Sequence, residues 1–294
     1  MKKAVIDIGT NSCRLFIGEV ENKKITKKIL KVMRITKLGE GVDKTKKLSI
    51  EGIDRTVEVL KTYRNTIDEY NVKKIKVIAT SATRDAKNSK NFIDRVRREA
   101  NLDIHCISGK EEGTLSFKGA ISEFDSKIMV LDIGGGSTEF ILGDNEKISY
   151  IESFDVGAVR LNEKFFLGMN EIKEGKLWVS HLLEKLRGYR DSDFILVGVA
   201  GTVTTHVSVL LEMEEYDTDR VHLYRLTKKE IEKNLNLFLK CSLEERKNIV
   251  GLHPKRAEVI VAGSYLLLWI MEILGREEII VSESDILEGL ILDD

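Results

Sequence analysis

Residues 129–143 read MVLDIGGGSTEFILG, and residues 4–18 read AVIDIGTNSCRLFIG. The two stretches align without a gap, 125 residues apart, with Asp7 on Asp132, Gly9 on Gly134, Ser12 on Ser137 and Gly18 on Gly143. Each is an apolar strand ending in Asp, then a turn rich in glycine and hydroxyls, then a second apolar strand. Such a turn gathers backbone N–H groups into a nest for anions. Its repetition predicts two related domains and a phosphate chain gripped from both sides.

The rest of the chain supports a layered α/β protein. Apolar strands at Lys3–Ile8, Leu15–Val20 and Ile75–Thr80 are followed by segments with helical periodicity, among them Ser49–Tyr70, Asn88–Ala100 and Ser108–Glu123. The second half repeats the plan with strands at Lys127–Asp132, Glu139–Leu142, Ile148–Phe154 and Phe194–Val199, and it ends on helices at Val259–Leu274 and Ser284–Leu292. Strands alternating with helices argue an α/β fold. A length of 294 residues fits two domains, which we place at 1–124 and 125–294, with the last helix (283–294) a candidate to rejoin the first domain.

Charge is unevenly distributed. Residues 1–124 carry 27 Lys and Arg against 17 Asp and Glu, while residues 125–294 carry 20 against 31. Lys23, Lys24, Lys27, Lys28, Lys31, Arg34 and Lys37 cluster closely. They form either a solvated amphipathic face or a positive wall that attracts polyanions. No apolar segment has the length of a membrane span, and Asp7 interrupts the apolar run that opens MKKAVIDIG, so a signal peptide is not expected. Three scattered cysteines, Cys13, Cys106 and Cys241, form no disulfide or zinc framework and point to the cytoplasm. Neither a nucleic-acid nor a membrane partner is expected. A homodimer is, because the apolar run Tyr265–Ile273 would suit an interface as well as a core.

Several groups carry possible chemistry. Three successive glycines, Gly134, Gly135 and Gly136, followed by Ser137, cost stability unless something must approach the backbone closely. Gly9, Asn11 and Ser12 are their counterparts in the first turn. Asp132 and Glu139 flank the second turn. Beside a phosphate their charges need a divalent cation, which hard oxygen ligands would hold; read plainly, Glu139 is a polar strand residue. Asp7 is a candidate outer ligand. Ser108 and Glu111 form a capping box that starts a helix. Glu112, next in line, has no such structural task and is placed to act as a general base. Arg84, in Thr80–Arg84, is either a phosphate clamp or a surface residue. A third turn, Val197–Thr204, with Gly201 and Thr202, leads into a helix predicted over Val203–Met213 whose N-terminus suits an anion; it is otherwise plain strand–helix punctuation. Gly157 and Arg160 are weaker candidates. The five histidines show no ligand spacing.

With these motifs in order, the chain resembles the exopolyphosphatase and guanosine pentaphosphate phosphohydrolase family, in its short two-domain form. The resemblance runs through DIGTNSCRL (7–15), LGEGVD (38–43), ATSATRDA (79–86), ISGKEEG (107–113), DIGGGSTE (132–139), VGAVRL (156–161), AGT (200–202) and SESDILEGLIL (282–292). It implies two duplicated ribonuclease-H-like domains of the actin-like ATPase superfamily with an interdomain cleft. It implies Glu112 as catalytic base, Asp132 and Glu139 as acids of a Mg²⁺ (or Mn²⁺) site, and Arg84 as a phosphate contact. The Gly134–Ser137 and Gly9–Ser12 turns become opposing phosphate loops. The implied activity is hydrolysis of the terminal phosphoanhydride of inorganic polyphosphate, with guanosine pentaphosphate as the alternative substrate. A kinase of the same superfamily and a non-catalytic polyphosphate or alarmone sensor are the competing functions.

Overall fold

The computed structural model describes residues 1–167 and 171–293. The chain forms two compact units, Met1–Gly119 together with Ile286–Asp294, and Ala120–Asp285. In order, the first stretch contributes β1 (Lys2–Ile8), β2 (Ser12–Glu21), β3 (Lys24–Ile35), α1 (Val42–Thr45), α2 (Ile50–Glu69), β4 (Lys74–Ala79), α3 (Ser81–Asp85), α4 (Ser89–Ala100), β5 (Ile104–Cys106) and α5 (Gly109–Ala120). The second contributes β6 (Ile128–Ile133), β7 (Thr138–Gly143), β8 (Ile148–Phe154), α6 (Ala158–Leu161), α7 (Ile172–Leu182), β9 (Ile195–Val199), α8 (Ala200–Leu210), α9 (Thr218–Val221), β10 (Tyr224–Thr227), α10 (Lys228–Lys240), α11 (Leu243–Arg246), α12 (Ile260–Leu274) and β11 (Glu278–Val281). Helix α13 (Ile286–Leu292) then returns to the first unit.

The duplication read from the two turns extends to whole sheets. The first sheet is ordered β3-β2-β1-β4-β5, and the second β10-β11-β9-β6-β7-β8. In each, the leading strand pairs antiparallel with the next and parallel with the strand after the first long helical segment. The register repeats as well: Asp7 stands opposite Arg14, and Asp132 opposite Glu139. Every strand end that matters for chemistry is a carboxyl end. The turns after β1, β4 and β5 are neighbours on one sheet edge, and those after β6, β9 and β11 on another, where ligands of α/β sheets bind.

Packing follows from the sequence pattern. Helix α2 is capped by Ser49, whose Oγ accepts the Gly52 N–H at 3.0 Å, and it buries Ile53, Val57, Leu60, Tyr63 and Ile67 on one face. With Phe92 and Val96 of α4 these cover one side of the first sheet. The other side is covered by α13, whose Ile286, Leu287, Leu290 and Ile291 pack on Val5, Phe16, Ile78 and Leu115. Lys3 Nζ donates to the Ile291 carbonyl at 3.2 Å, and Lys118 pairs with Asp293 at 2.9 Å, so cations meet the helix's negative end.

Most of the basic cluster, Lys24, Lys27, Lys28, Lys31 and Arg34, lies on β3, an edge strand that its charges disguise in the sequence. Lys24 and Lys27 stand opposite Glu21 and Glu19, while Lys31 and Lys28 approach the buried Glu288 of α13 at 3.0 and 3.8 Å. Four of the seven basic residues therefore face carboxylates, and the strand carries the lysines that guard sheet edges. The apolar run Tyr265–Ile273 is also settled: Leu266, Leu267, Trp269, Ile270, Met271 and Ile273 are buried in the second unit's own core.

A polar cluster lies within that core. His206 of α8 is fully buried, with Nε2 2.9 Å from Ser264 Oγ and Nδ1 3.2 Å from Asn234 Nδ2. Ser264 Oγ donates to the Ile260 carbonyl at 2.7 Å, so the imidazole is the donor to Ser264 and the acceptor from Asn234, in its neutral form. Burial pushes its pKa down to about 3. Unfolding restores a pKa near 6.5, so the unfolded chain takes up a proton as pH falls through that value and the folded chain does not until far lower. This contribution is fully present above about pH 6.5 and is lost as pH falls; it should cost about 2 kcal/mol of stability between pH 7 and pH 5. Urea midpoints at the two pH values test it: His206→Gln should show a smaller drop than the natural chain.

Candidate functional site

The second unit's turn, Gly134–Ser137, is shaped from behind. The N–H groups of Ala158 and Val159 donate to the carbonyls of Gly134 and Gly135 at 3.0 and 2.9 Å, and Arg160 Nε donates to the Gly136 carbonyl at 2.8 Å. Among the described residues no peptide bond is cis. In a trans peptide the carbonyl and the next N–H point in opposite directions. Three carbonyls turned towards the start of α6 therefore turn the N–H groups of Gly135, Gly136 and Ser137 the other way, as one donor surface. Gly157 makes the close approach possible, since a Cβ there would lie 2.5 Å from the Gly135 carbonyl carbon and oxygen.

The first unit builds the same device from other residues. Gly39 N–H donates to the Thr10 carbonyl at 2.8 Å, and Thr36 and Lys37 N–H both donate to the Asn11 carbonyl, at 3.0 and 2.9 Å. The N–H groups of Asn11 and Ser12 are thereby turned outward. Lys37 adopts a left-handed φ of 50° to bring a second N–H onto one carbonyl. A Cβ on Gly39 would meet Thr10 Cγ2 at 2.3 Å. In both turns the leading glycine, Gly9 or Gly134, donates its own N–H across the loop, to Ser12 or Ser137, at 2.9 and 3.0 Å.

Arg84 and Glu112 meet. Both belong to the first unit, Arg84 in α3 after β4 and Glu112 in the first turn of α5 after β5. Arg84 Nη1 lies 3.3 Å from Glu112 Oε2 and donates to the Ile107 carbonyl at 3.0 Å. The capping box is present: Glu111 Oε2 accepts from Ser108 N–H and Oγ at 2.8 and 2.7 Å, which holds the Glu111 carboxyl below the usual range. Glu112, 8% exposed, carries its carboxylate against a guanidinium instead.

Asp132 and Glu139 face one another across β6 and β7, with Glu139 fully buried and Asp132 nearly so. Ser153 Oγ donates to Glu139 Oε1 at 2.7 Å. Like charges placed directly opposite in a sheet are unfavourable, and burial raises the cost. Among the described residues no group of three or more His, Cys, Asp or Glu is placed to hold a metal. Two carboxylates nevertheless suit Mg²⁺, which completes its octahedron with water and phosphate oxygens. The donor set fits a divalent ion of that kind. Asp7 is differently placed, because its Oδ2 accepts from Arg14 Nε and Nη2 at 3.0 and 2.8 Å.

The third turn departs from expectation. Helix α8 begins at Ala200 rather than Val203, so Gly201 and Thr202 are in its first turn. Arg256, which the sequence gave no reason to single out, lies over it: Nη1 donates to the Gly201 carbonyl at 2.9 Å and to Thr205 Oγ1 at 2.7 Å. Thr202 is turned towards Gly263 on α12. Ala200 holds a left-handed φ of 66°, a conformation that costs a side-chain-bearing residue about 1–3 kcal/mol and gathers at functional sites.

Comparison with known proteins agrees with this architecture. Residues 4–294 match the Ppx/GppA phosphatase family. A bifunctional 3-dehydroquinate synthase/phosphatase of Fusobacterium nucleatum is 48% identical over 99% of this chain and 46% of its own, so the chain spans about half of that relative. Exopolyphosphatase 2 of Mycobacterium tuberculosis is 32% identical over 98% of this chain and 97% of its own. A solved structure of the PPX-GPPA enzyme of Aquifex aeolicus superposes with a TM-score of 0.83 at 34% identity, covering 100% of this chain and 99% of that one. The fold is the duplicated two-sheet α/β arrangement of that Aquifex aeolicus structure.

Proposed function

The chain belongs to the Ppx/GppA phosphatase family, and on that footing we propose that it hydrolyses the terminal phosphoanhydride of inorganic polyphosphate and releases orthophosphate. The observation that carries this reading is the orientation of the Gly134–Ser137 peptides, three successive donors with their carbonyls engaged elsewhere. Such a surface binds an anion rich in oxygens and has little to offer a neutral ligand.

We assign the residues the following roles on this reading. Gly134, Gly135, Gly136 and Ser137 in the second unit, and Gly9, Asn11 and Ser12 in the first, bind phosphate oxygens. Arg84 spends Nη1 on Glu112 and Ile107, which leaves Nη2 for a phosphate. Glu112 accepts a proton from a water as that water attacks the terminal phosphorus. The bond from phosphorus to the bridging oxygen breaks, and the shortened chain leaves. Asp132 and Glu139 would hold a divalent ion, Mg²⁺ or Mn²⁺, which when bound supplies positive charge to the phosphate oxygens. Gly201, beneath Arg256, joins the anion-binding surface through that guanidinium, and Thr202 supports it from inside. Phosphoryl transfer depends on positioning and charge stabilisation, and these are what such groups offer. The three cysteines are free thiols, which supports a reducing compartment such as the cytoplasm.

Phosphate release from short polyphosphate, long polyphosphate and guanosine pentaphosphate, each with and without Mg²⁺, tests the proposal. Faster release from polyphosphate, dependent on the metal, is expected; release from guanosine pentaphosphate alone would reassign the substrate. Arg160→Ala tests the loop itself. It frees the Gly136 carbonyl, so the Ser137 N–H loses its fixed direction. Losing one such bond is worth about 1–1.5 kcal/mol, so KM for tripolyphosphate should rise roughly tenfold with a small change in melting temperature. An unchanged KM would show that the loop holds its shape without Arg160.

A further inference from the structure

The two hairpins share their leading Asp and Gly, their register and their loop closure, yet at one paired position their charges are opposite. Where the second has Glu139 opposite Asp132, the first has Arg14 opposite Asp7, and the two positions are the same 125-residue repeat. We propose that Arg14 is a resident cation: it occupies in the first hairpin the place that a divalent ion takes in the second, so the chain binds one such ion and the first phosphate loop is held without one. The proposal rests on the reading of Asp132 and Glu139 as the metal pair.

The local chemistry supports it. Arg14 gives two nitrogens to one carboxylate oxygen, Nε at 3.0 Å and Nη2 at 2.8 Å. The pair is secluded, with side-chain exposures of 17% and 7%, so water and salt screen it little. One hairpin therefore sets a guanidinium against its aspartate where the other sets a second carboxyl, in the same register. The bond also lies in the right place to shape the loop. Asp7 and Arg14 are two rungs below the Gly9–Ser12 closure, with Ile8 opposite Cys13 between them. A guanidinium that never loses its charge would fix that closure whether or not metal is present. Asp7 is then a loop-forming residue and not a ligand.

Exchanging the two positions tests this without measuring turnover. Bound Mn²⁺ is counted by electron paramagnetic resonance, and melting temperature is followed with and without EDTA, for the natural chain, Arg14→Glu, Glu139→Arg and Arg14→Gln. The natural chain should bind one Mn²⁺. Arg14→Glu should bind two and become far more sensitive to EDTA. Glu139→Arg should bind none and melt at a temperature indifferent to EDTA. Arg14→Gln should keep one Mn²⁺ but melt several degrees lower in either condition. One Mn²⁺ in both the natural chain and Arg14→Glu would overturn the proposal. So would Arg14→Gln melting like the natural chain, a readout that stands even if Arg14→Glu does not fold. No Mn²⁺ in the natural chain would instead overturn the metal reading of Asp132 and Glu139, and one in Arg14→Glu would then still support a resident cation.

Discussion

Glu112→Gln is expected to lower phosphate release by roughly 10²–10⁴-fold, the usual contribution of a positioned general base. Gln keeps the size of the side chain and its place in the first turn of α5, where the Glu112 N–H donates to the Ser108 carbonyl at 2.9 Å. It removes only the capacity to take a proton and the charge facing Arg84. Because Arg84 also holds the Ile107 carbonyl at 3.0 Å, it should stay in place. Binding of tripolyphosphate, read as a rise in melting temperature, should therefore survive while turnover disappears. Near-natural phosphate release from this variant would remove Glu112 from the mechanism, and loss of binding as well would make it a structural residue.

Deleting the segment from Ile286 onward should abolish cooperative folding of the first unit. Four apolar side chains leave with it, Ile286, Leu287, Leu290 and Ile291, from a cluster that otherwise contains Val5, Phe16, Val20, Ile78 and Leu115. At about 1.5–3 kcal/mol for each buried side chain, the loss is on the order of 6–12 kcal/mol, comparable to the whole stability of a typical domain. Lys31 and Lys3 would lose Glu288 and the Ile291 carbonyl at the same time. A milder variant makes the same point. Gly289 brings α13 so close to α5 that a Cβ would lie 1.9 Å from the Leu115 carbonyl oxygen, so Gly289→Ala must push the helices apart. Calorimetry should show a lower first transition for Gly289→Ala and none for the deletion; melting like the natural chain would refute the packing described.

What was legible in the sequence was local or repeated. The two hairpins could be read because alternation, glycines and the closing Asp recur in step, and the capping box at Ser108 because its partners are three residues apart. Strand β3 could not. Its doubled lysines at 27 and 28 coincide with register shifts beside Gly18 and Val20, which break the two-residue period. The clamps behind the loops were also hidden. Gly39 and Gly157 stood inside quoted motifs, but only the fold shows that each lies against a loop carbonyl. Arg160 is a weak candidate in the sequence and Arg256 is none, because each acts on a backbone carbonyl distant in sequence, 24 and 55 residues away. Arg14 was visible in DIGTNSCRL, yet its meaning needed the register that sets it against Asp7. Helix α8 starts three residues before the position its sequence predicts because Ala200 enters it through a left-handed backbone that propensity does not predict.

The most direct test of the account is hydrolysis of polyphosphate in H₂¹⁸O, with the released orthophosphate examined by mass spectrometry. Attack by a Glu112-activated water on the chain's terminal phosphorus predicts one ¹⁸O in each orthophosphate released and none in the shortened chain. Orthophosphate without label, or label in the remaining polymer, would contradict it.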